Sequence, residues 1–495
     1  MLGLSGGRRL APWGASSDPT VPAHGMKGRT ERRAQEAMRL KGTRPQMSGQ
    51  LELPLESKGE APKVQRSEEV PMAARATDSS GKCDLMEMVV RRPNLQNALK
   101  RVRSNNGSPG IDGMTVDALS GHLKGHWKEI REQLLAGTYQ PQMVKRQLIP
   151  KGGGGMRELG IPTVLDRFIQ QALLQVLQSE LDGSFSRHSY GFRPGRNAHE
   201  AVCAAQRYVQ EGRRWVVDVD LEKFFDRVNH DMLMGKLAKR IGDRRVLMII
   251  RRYLEAGVMA HGGVVIERYE GTPQGGPLSP FLANVLLDAV DKELERRGHR
   301  FVRYADDCNV YVQSRRAGER VMQLLRKLFT GLKLHVNESK SAVDLAHRRK
   351  ILGYSFWVAP GKVVKRRVSG KALQAMQDRV REITQRNRGR SIAEVVTELR
   401  SYLVGWKEYY RLADTPKIFR KLDEWIRHRL RALHLKQWKR GTTIYRELRS
   451  RGMSHASAAQ VAANARRWWH NSGMVINVAL TTAYFDCLRL PRLAG

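Results

Sequence analysis

The chain has 495 residues and carries 87 Lys and Arg against 49 Asp and Glu, a net charge of +38. A hydrophobic share of 41% can supply a core, which argues against a disordered, collagenous or coiled-coil chain, and four scattered cysteines (Cys83, Cys203, Cys308, Cys487) without a CxxC pair argue against a disulfide framework or a cysteine zinc site. No apolar run approaches the ~20 residues of a membrane span, so a cytoplasmic protein with a polyanionic partner is expected.

Residues 1–80 are rich in Gly, Pro, Ser and charge, with Trp13 as their one aromatic. Such a segment cannot bury enough apolar surface to offset its chain entropy, and a disordered basic extension is expected. A globular pattern begins near Asn94, with Leu95, Ala98, Leu99 and Val102 at helical spacing. A helix at 126–135 precedes strands at 143–149 and 157–161, joined by a glycine-rich turn as a hairpin. Helices are predicted at 166–181 and 198–211. A strand at 215–219 opens into a helix at 221–227, followed by a helix over 231–256, a strand at 264–269 and a helix at 280–297. The stretch 301–313 reads as two strands hinged at Asp306 and Asp307, and 318–332 as a helix. Beyond Lys362 the pattern is almost wholly helical and strongly basic.

Two acidic features stand out. Asp306 and Asp307 lie at the tip of a hairpin flanked by Phe301, Val302, Val310, Tyr311 and Val312, and two acids there are costly unless a cation sits between them. Asp218 and Asp220 share one face of a strand, because side chains alternate with period two. Asp220 could also cap the following helix. Nucleotidyl transfer by two metal ions is the chemistry that uses such acids: Mg²⁺ takes carboxylate and phosphate oxygens, and a pair of ions binds the attacking and leaving oxygens.

These residues carry a family resemblance. Tyr304-Ala305-Asp306-Asp307 is similar to the YxDD box of reverse transcriptases, and 220–226 (DLEKFFD) to their first aspartate motif. The block 271–284 (GTPQGGPLSPFLAN) resembles the group II intron version of the fourth box. The chain resembles group II intron-encoded reverse transcriptase/maturases over roughly 94–490. The resemblance implies an α/β (α+β) right-hand polymerase with fingers and palm, an all-helical thumb/maturase domain and a small basic C-terminal segment. It implies Asp220, Asp306 and Asp307 as catalytic ligands of two Mg²⁺ ions, with Mn²⁺ an alternative, and Asp218 as a lesser candidate. Lys151 and Arg157 match triphosphate contacts on the fingers hairpin. Phe225 matches the residue under the sugar, with Phe224 as core, and Gln274 a residue near nucleotide and template. Gly275 and Gly276 would let backbone approach the primer–template. Arg193 and Arg196, in the 189–196 block, are expected on template phosphate, and Lys340 near the primer end.

The tail adds a basic helix. Lys417, Arg420, Lys421, Arg427, Arg429, Arg431, Lys436, Lys439 and Arg440 interleave with Ile418, Leu422, Trp425, Ile426, Leu430 and Leu433. One face packs while the other is nearly all positive, as suits a surface that tracks a phosphate backbone. It resembles the maturase domain that binds intron RNA. Arg466 and Arg467, before Trp468 and Trp469, resemble a DNA-binding segment. No His-Asn-His endonuclease with cysteine pairs follows, so a bacterial class C-like protein is expected. The resulting plan is an extension (1–80), fingers (81–205), palm (206–365), thumb/maturase (366–440) and DNA-binding segment (441–495). The expected activity is RNA-directed DNA polymerisation together with assistance to intron splicing and retrohoming. Its partners would be group II intron RNA, RNA template with DNA primer, target DNA and deoxynucleoside triphosphates, with no membrane and with a homodimer left open. The expected location is the bacterial cytoplasm, in ribonucleoprotein or at the nucleoid. The alternatives are a domesticated reverse transcriptase of a defence or diversity-generating system and a splicing-only RNA-binding maturase.

Overall fold

The computed structural model describes residues 84–150, 156–259, 265–473 and 475–494. The 1–80 extension and Lys151 lie outside the described residues. Helices α1 (Leu85–Val89), α2 (Arg92–Asn105) and α3 (Leu119–Ala136) precede a hairpin of β1 (Val144–Pro150) and β2 (Met156–Ile161). The long helix α4 (Val164–Leu181) starts where the Thr163 hydroxyl accepts a hydrogen bond from the Asp166 amide, a cap that satisfies one orphan donor. Next come α5 (Ala198–Gln210), β3 (Trp215–Val219), α6 (His230–Ala238), α7 (Arg244–Glu255), β4 (Val258–Met259) and β5 (Val265–Ile266). They are followed by α8 (Ser279–Arg296), β6 (Arg300–Tyr304), β7 (Asp307–Val312), α9 (Arg315–Gly331) and β8 (Ala342–Leu345). Short strands β9 (Lys350–Ile351), β10 (Tyr354–Val358) and β11 (Val364–Val368) lead to the C-terminal helices. These are α10 (Gly370–Ile383), α11 (Ile392–Tyr409), α12 (Pro416–Trp438), α13 (Gly441–Ser450), α14 (His455–Ala463), α15 (Trp468–Ser472) and α16 (Thr482–Cys487). No helix among the described residues is long and apolar enough to cross a membrane.

The result is a mixed α/β architecture with small, mainly antiparallel sheets. The central sheet runs β6-β7-β3-β8, antiparallel throughout. Its two faces feed two cores. Val217, Val219, Phe301, Cys308 and Val310 belong to a core shared with helices α8 and α9, while Val216, Val302 and Tyr311 belong to one shared with α5 and the C-terminal helices. This is the period-two alternation of a sheet buried on both sides. A second sheet, β2-β1-β4-β5, carries the hairpin, with β1 and β4 parallel.

Three expectations are corrected. Residues 221–227 do not form an α-helix. Leu221 bridges to Val336, the Glu222 amide donates to the His335 carbonyl, and Lys223 is left-handed at φ 45°, which leaves one short 3₁₀ turn at Phe224–Asp226. Asp220 therefore caps no helix. The 231–256 helix is broken in two, because the Asp243 side chain starts α7 by accepting from the Arg245 amide and also accepts the Met86 amide at 2.9 Å. Past Lys362 the chain first makes a strand, β11, paired with β10. In the C-terminal helices, Leu430 and Leu433 are buried in one core with Ile444, Leu448, Ile476 and Phe485. Asp423 on α12 accepts the amides of Leu493 and Ala494 at 2.9 and 3.0 Å.

Candidate active site

The register of the central sheet brings three of the expected acids together. Val219 pairs with Cys308 and Tyr304 with Asp307, so Asp220, one residue past Val219, falls level with Asp307. Ala305, left-handed at φ 57°, makes the tight turn that carries Asp306. Burial, then repulsion from Asp306, Asp218 and Asp220, pushes the Asp307 carboxyl up to about 7. Burial, with repulsion from Asp220, also raises Asp306, against the pull of Arg157 and Arg303. Asp218 has its own partners, the Arg349 guanidinium at 2.6 Å and the Asn309 amide at 3.0 Å, and is a paired acid beside the cluster. The Lys340 ammonium lies 3.2 Å from Asp220.

Among the described residues no three His, Cys, Asp or Glu side chains are grouped as a ready metal cage. The chemistry of the donor set nevertheless fits a hard divalent cation. It is all oxygen, and burial first, then repulsion between the acids, disfavours the charged carboxylates of Asp306 and Asp307, which a bound cation would stabilise. The sign follows for stability. Between the ordinary 3.8 and about 7 the folded chain holds a proton on Asp307 that the unfolded chain has lost, so this group makes stability fall as pH rises through that window. Asp307→Asn is expected to raise the urea midpoint at pH 8 and to bring no gain at pH 4. The difference between the two pH values should be about 1–2 kcal/mol after allowance for solvent screening, read from paired urea melts.

The nucleotide-side candidates divide. Arg157 on β2 is half-buried, and its Nε donates to Gln274 Oε1 at 2.8 Å, while the Gln274 amide donates to Asp226 at 3.3 Å. Phe225 is only 4% exposed, its ring edge-on to Phe224 at 5.0 Å, so both rings are buried in the core. Gly275, at φ +134°, is explained by protein packing: a Cβ there would lie 2.6 Å from the Gly160 carbonyl. A Cβ on Gly276 would meet the Gln170 side chain. These glycines admit the close approach of the hairpin and α4.

Arg193 is also corrected. It is buried, and every guanidinium nitrogen is engaged internally, with Asp182 and with the carbonyls of Asp182, Ser186 and Ser189. Nothing is left for a template phosphate. Arg196 is half-buried over the Tyr190 ring. In the tail, Lys417, Arg420, Lys421, Lys439 and Arg440 are exposed, as are Arg466 and Arg467, and Arg427 is half-buried. Arg429 and Arg431 are drawn inward: Arg429 donates to the Thr384 hydroxyl at 2.7 Å and Arg431 to the Leu480 carbonyl at 3.0 Å. Lys436 lies 4.1 Å from the centre of the Trp468 ring.

Residues 149–356 match the family model for reverse transcriptase (RNA-dependent DNA polymerase), and residues 373–452 match the group II intron, maturase-specific domain. The chain belongs to the group II intron-encoded reverse transcriptase/maturase family. Among relatives of this family it is 29% identical over 361 residues to group II intron-encoded protein LtrA of Lactococcus lactis subsp. cremoris, covering 58% of this chain and 60% of LtrA. It is 34% identical over 229 residues to protein YkfC of Escherichia coli K12, covering 45% of this chain and 60% of YkfC. Nuclear intron maturase 3, mitochondrial, of Arabidopsis thaliana is 26% identical over 270 residues, covering 46% of this chain and 37% of that one. The alignments thus span about three-fifths of the length of the first two relatives. The reverse transcriptase match holds all three aspartates, and the maturase match holds α12, runs past residue 440 and ends at the close of α13.

The sequence reading missed three partners at this site: Arg349, Arg303 and Asp291. Arg303 did leave a trace, as a cation set between Val302 and Tyr304 on a short strand that leads straight into the acidic turn.

Proposed function

We propose that the chain is an Mg²⁺-dependent RNA-directed DNA polymerase that also binds group II intron RNA to assist its splicing and retrohoming. The observation that carries this reading is the placing of Asp220 level with Asp307, beside Asp306, within the reverse transcriptase match. The hairpin β1–β2 is the fingers element, the sheet β6-β7-β3-β8 the palm, and the helices from α10 onward the thumb and maturase region. The primer 3′-hydroxyl attacks the α-phosphorus of a deoxynucleotide, a P–O bond forms, and pyrophosphate departs. Asp220, Asp306 and Asp307 would hold two Mg²⁺ ions, which supply charge stabilisation at the attacking and leaving oxygens. Arg157, held by Gln274, offers its remaining donors to the triphosphate. Lys340 pairs with Asp220 in the free chain and, on the polymerase reading, shifts to a primer phosphate.

Extension of a DNA primer on an RNA template, together with splicing of an intron RNA, tests both halves. Splicing without extension would leave a maturase alone. For the RNA surface, Lys417, Arg420 and Lys421 are exposed along the start of α12. Their combined replacement by Ala is expected to weaken intron RNA binding and to lower the slope of log affinity against log salt by roughly 2, since each phosphate contact contributes about 0.7–0.9. Filter binding over a salt series reads the slope, and an unchanged slope would remove this face from the interface.

A further inference from the structure

We propose that Arg303 is a positioning residue for the Asp306 and Asp307 carboxylates, acting through the backbone carbonyl of Ala305. The inference rests on the polymerase reading above.

Arg303 sits on β6 with its side chain on the same face as Phe301, toward α8 and out of water. A guanidinium there is tolerable only if all its donors are used. They are. Nε donates to Asp291 at 2.8 Å, and Nη2 donates to Asp291 at 2.6 Å and to the Ser189 hydroxyl at 2.7 Å. Nη1 donates to Asn284 Oδ1 at 2.8 Å and to the Ala305 carbonyl at 2.9 Å. Asp291 would be enough to neutralise the charge. The bond to Ala305 is different in kind, because it turns the planar fork back onto the residue that makes the acidic turn.

That residue needs support. Ala305 holds φ 57°, a conformation that a side chain bearing Cβ disfavours. The segment before Arg193 braces it from the other side. The Arg303 amide donates to the His188 carbonyl and the Tyr190 amide to the Arg303 carbonyl, both at 2.9 Å. Gly191 lies so close to Ala305 that a Cβ on it would collide with the Ala305 nitrogen. Asn284, already bonded to Arg303, donates its amide to the Gly191 carbonyl at 2.9 Å and closes the frame. The Ala305–Asp306 peptide is thus held in one orientation, and the position of the Asp306 side chain and the start of β7 follow from it. Residues 188–191, at the start of the 189–196 block, are thus the back-plate of this turn.

Two variants perturb the frame independently. Arg303→Lys keeps a cation for Asp291 but cannot reach Asn284, Ser189 and Ala305 together, because an ammonium lacks the planar fork. Gly191→Ala presses on the turn without touching the ion pair. In each, amide exchange at residues 305–307 is expected to quicken by about 10-fold or more while the rest of the sheet stays protected. On the polymerase reading, kcat for primer extension should fall by about 10²-fold and half-saturating Mg²⁺ should rise, with intron RNA affinity unchanged. Wild-type exchange and kcat in both folded variants would overturn the proposal, and Gly191→Ala decides alone should Arg303→Lys fail to fold. A wild-type protein that extends no primer would instead sink the polymerase reading, and the exchange rates at 305–307 would still decide whether the frame holds the turn.

Discussion

Asp306→Ala is expected to cut primer extension by about 10³-fold or more, equivalent to roughly 4 kcal/mol of transition-state stabilisation. The loss should come without unfolding. Burial and the neighbouring Asp220 already disfavour the Asp306 carboxylate in the free chain, so its removal relieves repulsion, and the melting midpoint at neutral pH should stay level or rise. Binding of intron RNA should also hold, because the exposed cations Lys417, Arg420 and Lys421 lie on α12, in the part of the chain matched by the maturase model. Steady-state extension, a thermal melt and a filter-binding titration on one preparation separate these effects. A folded Asp306→Ala protein that extends primers at the wild-type rate would remove Asp306 from the metal site.

The largest effect on stability is expected at Asp291. Its carboxylate and the Arg303 guanidinium are a pair with 0% and 2% of their side chains exposed. Asp291→Ala leaves a buried guanidinium with two nitrogens short of partners, a change that costs about 3–5 kcal/mol. The Arg315–Glu319 pair is the internal contrast, with 70% and 53% exposed. Glu319→Ala should change stability by no more than about 0.5 kcal/mol, because water and salt already screen that pair. Urea melts of the two variants test the contrast, and equal losses would contradict the burial argument. Asp291→Ala should also loosen the acidic turn, since Arg303 would then hold Ala305 without its anchor.

Most elements could be read from local pattern. The helices of α4, α5 and α8 and the strands of β3, β6 and β7 follow from apolar spacing within a dozen residues, and two acids inside an apolar hairpin advertise themselves because such a placement is costly. The errors have one physical origin. Arg193 in a Gly- and Pro-containing loop looks the same in sequence whether it faces phosphate or is wrapped by carbonyls. The 221–227 helix was lost because Leu221 and Glu222 find partners at Val336 and His335, more than a hundred residues away in sequence.

By itself, then, the sequence determined the strongly basic character, the order of the motifs and the placing of two acids inside an apolar hairpin, since charge, composition and periodicity are carried by the residues themselves. The +38 charge is one example, and it is not spread evenly over the tasks expected of it. Only the tertiary structure decided which cations remain available. Arg193, Arg303 and Arg349 are bound to Asp182, Asp291 and Asp218, whereas Lys417, Arg420 and Lys421 stay in solvent. The reason is that a charge taken out of water must find its counter-charge wherever packing brings one within hydrogen-bonding reach, and that distance is set by the fold and not by separation along the chain.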